Sequence, residues 1–103
     1  MAWVIKRQME DDNTIFEVYV KKNDLREDFG DRLVPASAVA DTLDCNDKQF
    51  HCKGYELTDM SHPCCSYRQE VYIFTCTCDT DCTAYTMMLF VNYWIDRLKR
   101  DYY

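Results

Sequence analysis

Glu70-Val71-Tyr72-Ile73-Phe74-Thr75-Cys76-Thr77-Cys78 is the stretch on which the fold turns. β-Branched and aromatic residues fill it, and both alternating sets, Val71/Ile73 and Tyr72/Phe74, are apolar. A strand apolar on two faces belongs inside a sheet, with a layer packed over it. Downstream, Asp79, Thr80 and Asp81 offer capping oxygens and negative charge, and Arg97, Lys99 and Arg100 carry the sign that a helix C-terminus favours. Between them Ala84, Met87, Met88, Val91, Ile95 and Leu98 recur at helical spacing. Tyr85, Leu89, Phe90, Tyr93 and Trp94 widen that stripe almost around the cylinder. An all-round apolar helix is buried on several sides or meets a partner. Leu89 and Val91 are expected in the core, and Phe90, Tyr93 and Trp94 are the candidates for contact with another chain, a second copy included.

Working toward the N-terminus, Phe16, Val18 and Val20 alternate with Glu17, Tyr19 and Lys21, the period of a half-buried strand. Residues 2–8 and 14–22 therefore read as a β-hairpin, with Glu10-Asp11-Asp12-Asn13 as its turn. Leu25, Phe29 and Leu33 recur every fourth residue and predict a short helix entered from Asn23. Gly30 weakens its interior by about 1 kcal/mol, and Pro35 ends it. Ser37 is placed to cap another short helix over 38–43. Residues 45–69 keep no period and read as irregular, with one short strand near 55–57. The expected class is α+β: an N-terminal β-hairpin, a short acidic helix, a cysteine-rich irregular segment, and one further strand packed with a long apolar C-terminal helix. Residues 1–103 are expected to form a single domain around one core.

Composition narrows the function. Twelve Lys and Arg against eighteen Asp and Glu leave a formal charge of −6. Such a chain repels phosphate backbones unless its bases are segregated. Their only cluster is Arg97, Lys99 and Arg100, which a helix end explains, so direct nucleic-acid binding is disfavoured. Two glycines in all cannot build a phosphate-cradling loop. The apolar run Met87–Ile95 contains Asn92 and falls far short of the roughly 20 residues a membrane span needs. No apolar leader follows Met1, which points to a cytoplasmic location, with secretion as the alternative.

Seven cysteines, at 45, 52, 64, 65, 76, 78 and 82, leave three readings open. Reduced, they are buried small hydrophobes. Oxidised, they staple a secreted module. Cys64, Cys76, Cys78 and Cys82 are the set that could hold zinc, since Cys76 and Cys78 share a strand face and Cys82 follows at the helix entry; His62 and Cys65 are the other donors nearby. No Cys-x-x-Cys occurs, so the chain lacks the usual signature of a metal knuckle or a dithiol oxidoreductase. Neither His51 nor His62 is placed by sequence to activate a thiol, and His51 and Cys52, adjacent in the chain, send their side chains apart.

Asp24, Glu27, Asp28 and Asp31 are spaced i, i+3, i+4 and i+7, so a helix there would align four carboxylates. Asp41 and Asp44 would extend the row. Such a stripe can imitate a phosphate backbone and occupy a basic groove, although a solvated face is the plainer reading. The general profile, small, acidic and without catalytic motifs, is similar to that of the inhibitors that phages and mobile elements encode against host defence proteins. That resemblance is one of character and not of motif. It implies a non-enzymatic inhibitor or adaptor docking on a larger, basic protein, without a cofactor. The alternatives are a secreted, disulfide-stapled binding module and, behind it, a zinc-stabilised structural module.

Overall fold

The computed structural model describes residues 2–10, 13–27, 29–45, 50–61, 67–79 and 82–101. Four strands, β1 (Trp3–Glu10), β2 (Asn13–Lys21), β3 (Phe50–Ser61) and β4 (Arg68–Cys78), form one antiparallel sheet in the order β1-β2-β4-β3. Two helices, α1 (Ala36–Cys45) and α2 (Ala84–Asp101), follow the first and the second hairpin. The class is α+β.

Register explains why one face is covered. Thr14, Phe16, Val18 and Val20 of β2 lie opposite Cys78, Cys76, Phe74 and Tyr72 of β4, and all but the half-buried Tyr72 are buried. Alternation turns these side chains to one side, where they meet Val39 and Leu43 of α1 and Met87, Val91 and Ile95 of α2 in one cluster. Each fully buried side chain of this size contributes about 1.5–3 kcal/mol of transfer free energy. The other face carries Trp3 stacked on Tyr19 at 5.3 Å, with Val71 and Ile73 buried in its middle and Ile5 exposed. Thus β4 is interior and apolar on both faces, as its composition requires.

The hairpin, the interior strand and the C-terminal helix occur where the residue pattern places them. Three expectations are corrected. First, no α-helix forms among the described residues of 23–33. A short 3-10 turn, Lys22–Leu25, leads into a reversal in which Arg26 bridges Leu33. The Glu27 N–H donates to the Arg32 carbonyl at 2.9 Å and the Val34 N–H to the Leu25 carbonyl at 2.7 Å. This buries Leu25 and Val34 together and leaves Phe29 fully exposed; a helix would have put Phe29 beside Leu25 and lined up mutually repelling carboxylates. Second, 45–69 holds the twelve-residue strand β3, whose alternation is broken by a register shift between Cys52 and Gly54. Third, Leu89 is half exposed and not in the core.

The caps also differ in detail. The Pro35 carbonyl accepts the Ala38 and Val39 N–H groups at the start of α1, so Ser37 is not its cap. At α2 the Thr83 hydroxyl accepts the Thr86 N–H at 3.1 Å. Of the residues expected to cap it, Thr80 and Asp81 lie outside the described residues.

Candidate functional site

Residues two positions apart on a helix lie about 200° apart around its axis. The line Tyr85, Leu89 and Tyr93 is therefore opposite the buried line Met87, Val91 and Ile95. Their exposures are 64%, 50% and 52%. Spaced by four, the three side chains form one continuous ridge. Of the other sequence candidates on α2, Phe90 stacks on Phe50 at 4.3 Å and meets Trp94 edge-on at 6.5 Å. Both are half-buried against the core. Tyr93, edge-on to Trp94 at 5.1 Å, projects past them, and its hydroxyl accepts a hydrogen bond from Arg97 at 3.3 Å. Tyr85 and Leu89 were the missing members of this surface; the signal for them was the i−2 offset from the core line.

Among the described residues, the acidic candidates Asp24, Glu27 and Asp31 do not share a helix face. Asp24 is half-buried in the 3-10 turn, and Glu27 starts the reversal. Asp31 is exposed and pairs with Arg26 at 3.5 Å, while Arg26 also donates to the Asp31 carbonyl at 2.9 Å. Asp28 lies outside the described residues. Without the helix, the carboxylates lose the spacing that would imitate a phosphate backbone. Beside this turn a cleft of about 430 Å³ is lined by Lys21, Lys22, Asp24, Tyr67 and Glu70, and Lys22 is paired with Glu70 at 3.1 Å.

Cys76 and Cys78 alternate with Thr77 and share the helix-covered face of β4. A disulfide joins Cys78 to Cys82 and ties the end of β4 to the entry of α2. Of the zinc candidates Cys64, Cys76, Cys78 and Cys82, Cys64 lies outside the described residues, Cys78 and Cys82 are bridged to each other, and Cys76 is a free thiol. Among the described residues no three His, Cys, Asp or Glu side chains gather as a metal site requires.

Cys76 instead faces Cys52 across the ladder, both as free thiols, Cys76 buried and Cys52 half-buried. Asp44, at the end of α1, accepts the Cys52 backbone N–H at 3.2 Å. That N–H is therefore held by α1 at the point where the β3–β4 register shifts. A hydrogen bond from Cys76 lowers the Cys52 thiol from 9.0 to about 7; burial opposes it, the Gly54 backbone assists, and the charges of Asp44 and Asp41 oppose. The same contact, followed by burial, pushes the Cys76 thiol far up. The pair, a half-buried thiol facing a buried one, was invisible in the sequence because a non-local register brings it together.

His51 lies on the opposite face from Cys52, and its Nε2 is 2.9 Å from an Asp79 carboxylate oxygen, with Nδ1 3.9 Å from Asp44. It ties the ends of α1, β3 and β4 and is not a base for the Cys52 thiol. Compared with known proteins, the chain matches no family model, and neither a curated protein nor a solved structure matches it.

Proposed function

We propose that the protein is a binding protein, an inhibitor or adaptor that docks on a larger protein by laying the α2 ridge into an apolar groove. One observation supports this reading: Tyr85, Leu89 and Tyr93 stand in line, each at least half exposed, on the side of α2 that the core cannot reach. A surface helix ordinarily turns polar residues to water. Large apolar residues repeating every turn are the anchors of helix-in-groove recognition. Tyrosine suits this role, since its ring fills a pocket while its hydroxyl meets polar groups at the rim. The formal charge of −6 favours a basic partner, whose complementary field would speed encounter.

The test uses a partner recovered by crosslinking in cells that express the protein, then purified. Tyr85→Ala, Leu89→Ala and Tyr93→Ala together should weaken binding at least 30-fold, about 2 kcal/mol. Neutralising Asp24, Glu27, Asp28 and Asp31 to Asn or Gln should change it far less. The reverse order would overturn the ridge and restore the acidic residues as the contact. Sedimentation of the protein alone at high micromolar concentration separates a second copy as occupant, which the ridge variants would then dissociate.

The Cys78–Cys82 disulfide favours a second reading, a binding module of an oxidising compartment, where such bonds persist. Thiol titration of the protein from its native source, denatured with and without reductant, distinguishes the two. A count unchanged by reductant places it in a reducing environment.

A further inference from the structure

We infer that Cys52 and Cys76 form a dithiol–disulfide couple, in which Cys52 attacks a disulfide of another molecule and Cys76 resolves the mixed disulfide. This is an activity separate from docking and does not depend on it. The geometry carries it. The two residues are directly opposed on β3 and β4, and the Cys52 N–H is taken by Asp44 of α1. Directly opposed residues of an antiparallel pair hold their Cα atoms about 4.5–5.5 Å apart, inside the range a disulfide spans. Access differs between them as the roles require: Cys52 is half-buried on an edge strand, beside the register shift that re-aims the chain, and Cys76 is buried under the helices.

Chemistry at the pair is consistent with this division. Only the thiolate is a nucleophile, and the Cys76 hydrogen bond favours the thiolate at Cys52 against the charges of Asp41 and Asp44 on α1. In the first step the Cys52 thiolate bonds to one sulfur of the external disulfide. The external S–S bond breaks, and the other sulfur leaves as a thiolate that takes a proton from water. Cys52 then carries no charge and no longer holds the Cys76 proton, which removes the largest cause of the raised Cys76 thiol. Cys76 loses its proton to solvent and attacks the Cys52 sulfur, and the second external sulfur departs. One dithiol and one disulfide become an intramolecular disulfide and two thiols, with two electrons transferred to the external molecule. Run backward, an external dithiol reduces the Cys52–Cys76 bond.

The experiment treats the full-length protein with oxidised glutathione and maps every cysteine by peptide mass spectrometry after acid quench. The wild type should finish with a Cys52–Cys76 crosslink and no glutathione on either residue. Cys76→Ser should trap glutathione on Cys52, with Cys76→Ala as the second form in case the buried hydroxyl disturbs the core. Cys52→Ser should leave Cys76 unmodified. In the wild type, glutathione attachment at Cys52 should level off nearer neutrality than for an unstructured cysteine peptide, whose rate climbs through pH 9. Persistent glutathione on wild-type Cys52, a bridge from Cys52 to any other cysteine, or a Cys52 pH profile equal to the peptide's would overturn the inference.

Discussion

Alanine at Met87 and alanine at Leu89, two positions apart on α2, test which way the helix faces. Met87 is 1% exposed and Leu89 is 50% exposed. Truncating a buried methionine removes its transfer free energy and leaves a cavity, at a cost of about 2–5 kcal/mol. Leu89 has only about half of its side chain to lose from burial, roughly 1 kcal/mol on a scale where full burial contributes about 1.5–3. Alanine's better helix propensity returns a few tenths of that. For a domain of this size, 1 kcal/mol shifts Tm by about 4–8 °C. Met87→Ala should therefore melt roughly 10 °C or more below the wild type, and Leu89→Ala within a few degrees of it. Urea unfolding followed by far-ultraviolet circular dichroism provides the assay, and an unchanged m-value licenses reading the midpoint shift as stability. Equal losses at the two positions would refute the orientation of α2, and the exposed ridge would go with it.

Two further outcomes follow from the junction between β4 and α2. Thr83→Ala removes the oxygen that accepts the Thr86 N–H and should cost about 1 kcal/mol, while Thr83→Ser should keep most of it; thermal melts of the pair check this. Opening the Cys78–Cys82 bridge, by Cys82→Ala against an oxidised wild type, releases a loop of sequence separation 4 and should lower stability by about 2 kcal/mol, read from the urea midpoint.

What could be read in the sequence was what local chemistry decides alone. β2 alternates cleanly because one of its faces packs under the helices, and β4 is apolar on both faces because, as an interior strand, it buries Val71 and Ile73 on the side away from the helices as well. On α2, Met87, Val91 and Ile95 declare the core line unaided. The ridge was harder to see: Leu89 and Tyr93 are as apolar as their buried neighbours, so composition alone counts them as core. β3 escaped because an edge strand needs little apolar pattern; His51, Lys53, Glu56 and Asp59 sit where half of each residue meets water, and the shift at Cys52/Gly54 spoils what alternation remains. The acidic segment misled for a different reason. Leu25, Phe29 and Leu33 repeat like a helix face, yet the partner of Leu25 in the core is Val34, which lies outside that repeat. The Cys52–Cys76 pair depends on register between strands, which no single segment encodes.

The sheet order has a kinetic consequence. β1 with β2 and β3 with β4 are each joined by a chain reversal, Glu10 to Asn13 and Ser61 to Arg68, so each hairpin can form by local diffusion. The central seam between β2 and β4 is different. Its closest partners in sequence, Lys21 and Val71, are separated by the whole of α1 and β3. Zipping that seam closes a long loop, an entropic toll taken before Val18 meets Phe74 or Phe16 meets Cys76. Closing the seam is therefore expected to limit the folding rate, which the two arms of a urea chevron would read. Substitutions at Val18 and Phe74 would slow folding, whereas substitutions on the outer edge of β3 would chiefly hasten unfolding.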